Sequence, residues 1–348
     1  MAVCGDSRHA QTRRKVPTQA GFSGSYSGMK NVLLWLGLIA FAVAAGSASL
    51  AQDKAPAHGN GDVQVQMHNV MYHYGDRAVV HLRDVGGALV ATKPGQMPVF
   101  DDKNSFGLQI TAAEIALEPQ SLAAVLNANV FSAKDAPLKD LAISIEKGKL
   151  RVKGKLHQKS DLSFETEGQL SATPDGKIRL HADKIKALHL SVKGLMDLVG
   201  LDIADLIKNG KVRGVQVEKD DLIFDAGEIF PPPRISGHVT AIRLEGNNIV
   251  LIFGDSQKYP WKHVSARNYM AYSGNRLQFG KLVMTDTDMV LIDPDPSDPF
   301  DFDLDHYKDQ LVAGYSKTTP SFGLRVYMVD FNKLKRKGGP APMATKSR

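Results

Sequence analysis

Apolar and polar residues alternate with a period of two through most of residues 62–331, and this confines the chain to folds built from sheets. Successive side chains on a strand point to opposite faces, so alternation gives each strand one face to bury and one to leave in water. "VQVQMHNVMYHY" and "RAVVHLRDV" flank the turn pair Gly75-Asp76 and read as a hairpin. "GALVAT" reads as a third strand before the loop "KPGQMPVFDDKN". "SFGLQITAAEIALE" is a further strand, and Pro119, favoured at a first helical position, then opens a short helix carrying Leu122, Val125 and Leu126.

The clearest block runs from Leu141 to Leu190, with turns at Lys147-Gly148, His157–Ser160 and Pro174-Asp175-Gly176. Its strands put Leu150, Val152, Leu156, Leu162, Phe164 and Leu170 on one side and Lys149, Arg151, Lys153, Lys155, Glu165 and Glu167 on the other. If the loop "HQKS" sets the register, Lys153 lies opposite Glu165 and Arg151 opposite Glu167, a solvated outer face stabilised by tenths of a kcal/mol per pair. The period then changes. "VKGLMDLVGLDIADLIKNG" places Leu195, Leu198, Val199, Ile203, Leu206 and Ile207 near one helical face and ends on the stop signal Asn209-Gly210. Strands resume at "RGVQVEKDDLIFD", and "PPPR" separates them from "ISGHVTAIRLEGNNIVLIFG". A last section, 261–332, contains "NYMAYSGNRLQFGKLVMTDTDMVLID" and the closing strand "FGLRVYMVDF". The fold class is therefore mostly β (α+β), with many strands to two or three short helices.

The N-terminal region has a different character. From Met29, "MKNVLLWLGLIAFAVAAGSASLAQDK" carries Lys30, an apolar core from Val32 to Ala45 and the small-x-small site Ser49-Leu50-Ala51. This predicts a signal peptide over 29–51, with cleavage favoured; the alternative is an uncleaved anchor, since Val32–Leu50 approaches the ~20 residues of a membrane span. Residues 1–28 resemble neither domain nor signal, which makes Met29 a candidate start, and 52–61 is a polar linker. Cys4, the only cysteine, lies in that extension, so disulfides and zinc–cysteine sites are excluded from the rest.

The formal net charge of +6 is unevenly placed. The basic run 333–348, which reads as a frayed tail, and residues 1–51 hold the excess; 52–332 has 32 basic and 36 acidic residues, a net of −4. A mildly acidic body is not that of a nucleic-acid binder.

Signatures of catalysis and cofactors are absent: there is no G-x-x-x-x-G-K-[ST], H-E-x-x-H, G-x-S-x-G or strand-borne G-x-G-x-x-G. No cofactor is expected. His68, His73 and His81 lie close in sequence but need not converge on a metal. "IDPDPSDPFDFDLDHY" (292–307) raises the question of calcium, with Asp301, Asp303 and Asp305 as ligands, yet neither aspartate register gives the glycine at six and glutamate at twelve of an EF-hand loop. Its "FDFDLD" reads instead as a strand that buries Phe300, Phe302 and Leu304, with three aspartates facing water on a protected edge.

The order of elements across 105–254, from "ITAAEIALEPQSLAAVLN" through "DLAISIEKGKLRVKGKL", "GLMDLVGLDIADLI" and "GVQVEKDDLIFDAGEIFPPPRISGHVTAIRLEGNNIVLIF", resembles the LmeA-like phospholipid-binding proteins and, more loosely, the tubular lipid-binding (TULIP) superfamily. The resemblance implies a strongly curved antiparallel sheet wrapped around one amphipathic helix, a β-rich lipid-binding domain over 62–260 with additional C-terminal strands, and an apolar groove for acyl chains. Leu195, Met196, Leu198, Val199, Ile203 and Ile207 would line one wall, and Leu150, Val152, Leu162 and Phe164 the other. The expected function is that of a non-enzymatic exported protein of the bacterial periplasm or cell envelope, binding or transferring a phospholipid-like ligand and touching a membrane surface. The alternatives are a membrane-anchored scaffold without a small-molecule ligand and an enzyme acting on envelope glycans or lipids.

Overall fold

Strand β1 (Val63–Tyr74) hydrogen-bonds antiparallel to β2 (Ala78–Ala91), as the alternation around Gly75 predicts. The computed structural model describes residues 62–75, 78–157, 161–183, 186–187, 212–218 and 221–334. The chain is mostly β, and its sheets are largely antiparallel.

Strand β3 (Phe106–Leu117) pairs with β2 and leads into helix α1 (Pro119–Val125), with proline in the first turn as expected. A short π-helical stretch, Leu126–Val130, continues it. The meander follows: β4 (Leu138–Glu146), β5 (Lys149–His157), β6 (Asp161–Ala172) and β7 (Ile178–Ala182), with β8 (Lys186–Ala187) beside β6. Strands β9 (Val215–Glu218) and β10 (Asp221–Phe224) complete this second sheet, in the order β4-β5-β6-β7-β10-β9. The predicted register holds, with Lys153 opposite Glu165 and Arg151 opposite Glu167. The Arg151 guanidinium nevertheless reaches diagonally to Glu165 and back to Glu146, 2.5 and 2.6 Å away. Lys149 pairs with Asp183 and Lys155 with Asp140, so the basic row is matched along its length.

The chain then returns to the first sheet through β11 (Arg234–Ser236), β12 (Val239–Glu245) and β13 (Asn248–Phe253), which lie beside β3. On the far side of β1 the sheet gains β14 (Tyr269–Gly274), β17 (Thr287–Ile292), β20 (Leu324–Tyr327) and β19 (Tyr315–Thr318). A separate hairpin pairs β15 (Leu277–Phe279) with β16 (Leu282–Met284). Strands from 269 onward thus add directly to β1.

Midway along, β1 exchanges neighbours. Residues 63–68 pair with β14, whereas 70–73 pair parallel with β18 (Phe300–Asp303). Asn69 marks the change with φ of +55°, a left-handed conformation that asparagine adopts more readily than most side chains. Its amide donates to Asn268 Oδ1 (2.7 Å), and its carbonyl oxygen lies 2.8 Å from His81 Nε2. Buried positions switch here from 63, 65 and 67 to 70 and 72, while β2 switches opposite it from 78, 80 and 82 to 85 and beyond. A one-residue phase change would otherwise turn the apolar side chains toward water; made in both strands together, it keeps them inward.

Two expectations are corrected. The single, strongly curved sheet around one helix is not what forms: apart from the β15–β16 hairpin the described strands divide between two large sheets, neither strongly curved, and the segment of the expected helix lies outside the described residues. One apolar core, containing Val65, Leu117 and Leu251 of the first sheet and Leu150, Val152 and Leu180 of the second, covers both inner faces. The aspartates of "FDFDLD" do not all face water either. Asp301 and Asp303 are buried, at 7% and 3% exposure, because helix Tyr307–Ala313 and residues 328–333 cover that face. Gln310, fully buried, donates to the carbonyls of Asp301 and Val329 and accepts from the Asp303 N–H.

A strap formed by residues 255–267 crosses the outer face of the first sheet. Gln66 exchanges two hydrogen bonds with the Lys262 backbone (2.8 and 3.0 Å), and the Tyr259 ring lies over Gly86, where a Cβ would overlap it. Gly86→Ala is therefore expected to cost about 1–3 kcal/mol and to displace Tyr259 from the sheet. Tyr259 packs 4.5 Å from Trp261 by ring centroids, so a shift in tryptophan emission together with the lower unfolding midpoint checks it. An unchanged spectrum would show that the ring does not move.

Candidate functional site: an apolar interior with a polar mouth

Three small cavities run through the shared core. The first, about 50 Å³, is enclosed by side chains including Met67, Leu82, Phe100, Phe106 and Phe302. The second, about 40 Å³, shares Leu117, Phe230 and Leu251 with the first and brings in Leu150 and Val152 from the second sheet. A third, about 50 Å³, shares Val152, Ile143 and Phe224 with the second and ends at Phe164. Shared wall residues set the three side by side as a row of apolar cavities, the middle one lined from both sheets.

Of the residues expected to line a groove, Leu150, Val152 and Phe164 are buried along this row and Leu162 packs partly buried against the same core. Leu195, Met196, Leu198, Val199, Ile203 and Ile207 lie outside the described residues. Sequence reasoning missed the first-sheet half: Tyr72, Tyr74, Phe100, Tyr272 and Phe302. Aromatic residues at alternate positions, Tyr72/Tyr74 and Phe300/Phe302, were the available signal.

At the end of the first cavity the lining becomes polar. One vestibule of about 270 Å³ lies among Tyr72–Tyr74, residues 124–129, Pro231, Pro232, Leu304 and Asp305. A second, of about 280 Å³, lies among residues 100–104 and 304–308. Lys103, Leu304 and Asp305 form the wall between them. Lys103 Nζ sits 2.9 Å from both carboxylate oxygens of Asp305. Across the second vestibule, Asp101 accepts from Lys308 (2.8 Å) and from the Tyr307 hydroxyl (2.6 Å), and these two bonds hold its carboxyl below the usual range. Burial, then the bond to Asp101, pushes the Tyr307 phenol up.

Among the described residues lining the three cavities, the only titratable side chains are the phenols of Tyr72, Tyr74 and Tyr272, all pushed well upward by burial. They stay neutral at physiological pH. Such an interior can recognise carbon by burial, at ~0.8 kcal/mol per methylene.

The aspartate-rich stretch makes a different kind of site. Asp301, Asp303 and Asp305 do not converge. Asp301 binds His73, Asp303 accepts from the N–H groups of Asp305 and His306, and Asp305 binds Lys103. Asp293, Asp298 and Asp330 do approach one another, with ligand atoms within 4.8 Å. The ammonium of Lys333 already serves that cluster, 3.1 Å from Asp298 and 2.8 Å from Asp330, and also meets Asp295 at 2.9 Å. Lys333, read from sequence as the start of a frayed tail, is thus part of the fold. The three histidines have separate partners as well: His68 meets Asp84, His73 meets Asp301 and His81 meets Asn69.

The arrangement defines a mostly β protein with two large sheets, adjoining apolar cavities in its core and polar vestibules beside the first of them. No protein-family profile, curated protein or solved structure matches this chain.

Proposed function

We propose that this is a non-enzymatic protein that binds an acyl-chain lipid between its two large sheets, with the acyl portion in the row of apolar cavities and the headgroup in the vestibules beside Lys103. The carrying observation is the row of three adjoining apolar cavities beside a polar vestibule that shares Tyr72, Tyr74 and Leu304 with the first of them. The resemblance of 105–254 to LmeA-like proteins supports the same reading. The signal-like segment 29–51 supports a location in the cell envelope; no described helix is long and apolar enough to cross a membrane.

The cavity volumes give this reading a physical consequence. A 150 Å³ apolar cavity admits roughly one benzene, and each of these three is smaller. Binding an acyl chain therefore requires the side chains between the sheets to part, and affinity is the methylene gain less the cost of that opening. The test is native mass spectrometry of the full chain, made in a bacterial host and purified without detergent, with lipid extraction of the same sample. A retained mass matching a phospholipid is expected. A ligand-free mass that stays unchanged after incubation with phosphatidylethanolamine/phosphatidylglycerol vesicles would overturn the proposal.

A scaffold acting through protein contacts is the second reading, and one feature favours it. Strand β19 is exposed throughout at the sheet's edge, and Phe322, in the β19–β20 turn, is 90% exposed with φ of +63°, an unusual backbone for a bulky residue. Loss of a co-purifying protein on Phe322→Ser, with lipid content unchanged, would favour this reading.

A further inference from the structure

Three tyrosines line the first cavity, their hydroxyls make no hydrogen bond among the described residues, and we infer that they bind the ester carbonyls of a diacyl glycerolipid. This rests on the lipid-binding reading above and specifies its ligand. Tyr72 and Tyr272 are 7% and 2% exposed, and Tyr74 is half-buried. All three line the first cavity, in a wall that is otherwise almost wholly carbon. The rings of Tyr72 and Tyr74 pack 4.8 Å apart, and Tyr272 packs edge-on to Phe100 at 5.4 Å. After burial, the nearby phenols of Tyr74 and Tyr272 are the next causes that push the Tyr72 phenol upward, so the three groups share one neighbourhood.

Buried hydroxyls normally find partners, because leaving one unmade costs the full desolvation penalty. Among the described residues the fully buried side-chain atoms that lack a partner are Thr111 Oγ1 and Arg179 Nε, not these phenol oxygens, which therefore keep open space in which each can donate to a ligand's oxygen.

Their position selects the acceptor. Tyr72 and Tyr74 line both the apolar cavity and the polar vestibule, so they stand at the boundary between carbon-lined and charged space. In a glycerolipid that boundary is the ester linkage, with acyl chains on one side and headgroup on the other. Beyond it, the Lys103–Asp305 pair offers an ammonium and a carboxylate to a zwitterionic headgroup.

The experiment compares uptake by the full chain of dioleoyl phosphatidylethanolamine and of its diether analogue, which has the same chains and headgroup but no carbonyls. Each is presented in vesicles and read by mass spectrometry of the recovered protein. The wild-type chain is expected to prefer the diester by about tenfold. The combined variant Tyr72→Phe, Tyr74→Phe, Tyr272→Phe should take both lipids equally, and its lipid-free melting temperature should not fall, because no protein hydrogen bond is removed. Equal uptake by the wild type overturns the inference while leaving lipid binding intact, as does a diester preference that survives the triple substitution. Uptake of neither lipid overturns the lipid-binding reading and this inference with it. If the triple variant does not fold, the hydroxyls are structural and the inference falls.

Discussion

Replacing Phe302 with alanine is expected to lower the unfolding free energy by about 3–5 kcal/mol. Phe302 is fully buried, packs 5.9 Å from Tyr72 by ring centroids and lines the first cavity. Its strand lies parallel to β1 within the sheet, so no solvent-exposed position is open to the ring. Chemical denaturation with an unchanged dependence on denaturant checks the magnitude. The same substitution enlarges the cavity beside the tyrosines, so the variant should bind small apolar molecules such as benzene more tightly than the wild type. A loss below about 1 kcal/mol would mean that β18 is the exposed edge its aspartates suggest.

Lys333→Met is expected to cost about 2–3 kcal/mol at neutral pH. Removing one partner of a buried ion pair costs ~3–5 kcal/mol, reduced here because the lysine side chain is 41% exposed. Asp330, with a side chain only 1% exposed, would lose its nearest cation, as would Asp295 and Asp298. Burial, the largest cause, already raises the carboxyls of Asp293 and Asp330 above the ordinary range. A carboxyl raised on folding contributes stability that is fully present below its unfolded pKa and lost as pH rises through the folded one. Without Lys333 the folded values rise further, so the variant's deficit should shrink between pH 7 and pH 4. Unfolding curves at the two pH values decide this. A deficit that does not change with pH would remove the electrostatic account of the cluster.

Much of the architecture is legible in the sequence because it depends on local periodicity. The hairpin at Gly75, the helix beginning at Pro119 and the pairing of Lys153 with Glu165 follow from turn chemistry and from the two-residue period. So does the inward face of Leu150, Val152 and Phe164. The phase change at Asn69 is visible only as the two residues, His68 and Asn69, between the apolar Met67 and Val70, and nothing local says that β18 arrives there.

Alternation alone determined that the chain is mostly β and which side of each strand is apolar, since both follow from the geometry of one strand and its turns. Tertiary structure decided what each face meets. Asp301 and Asp303 alternate with phenylalanines as a solvated edge would, yet Gln310, His73 and the N–H groups of residues 305, 306 and 332 bury and satisfy them. Lys333 reads as part of a tail yet bridges three aspartates, one of them buried. The meeting of Tyr272 with Tyr72 and Tyr74, about two hundred residues earlier in the chain, was likewise settled by non-local pairing: β14 and β18 both take their places against β1, and periodicity carries no information about which distant strand will do so.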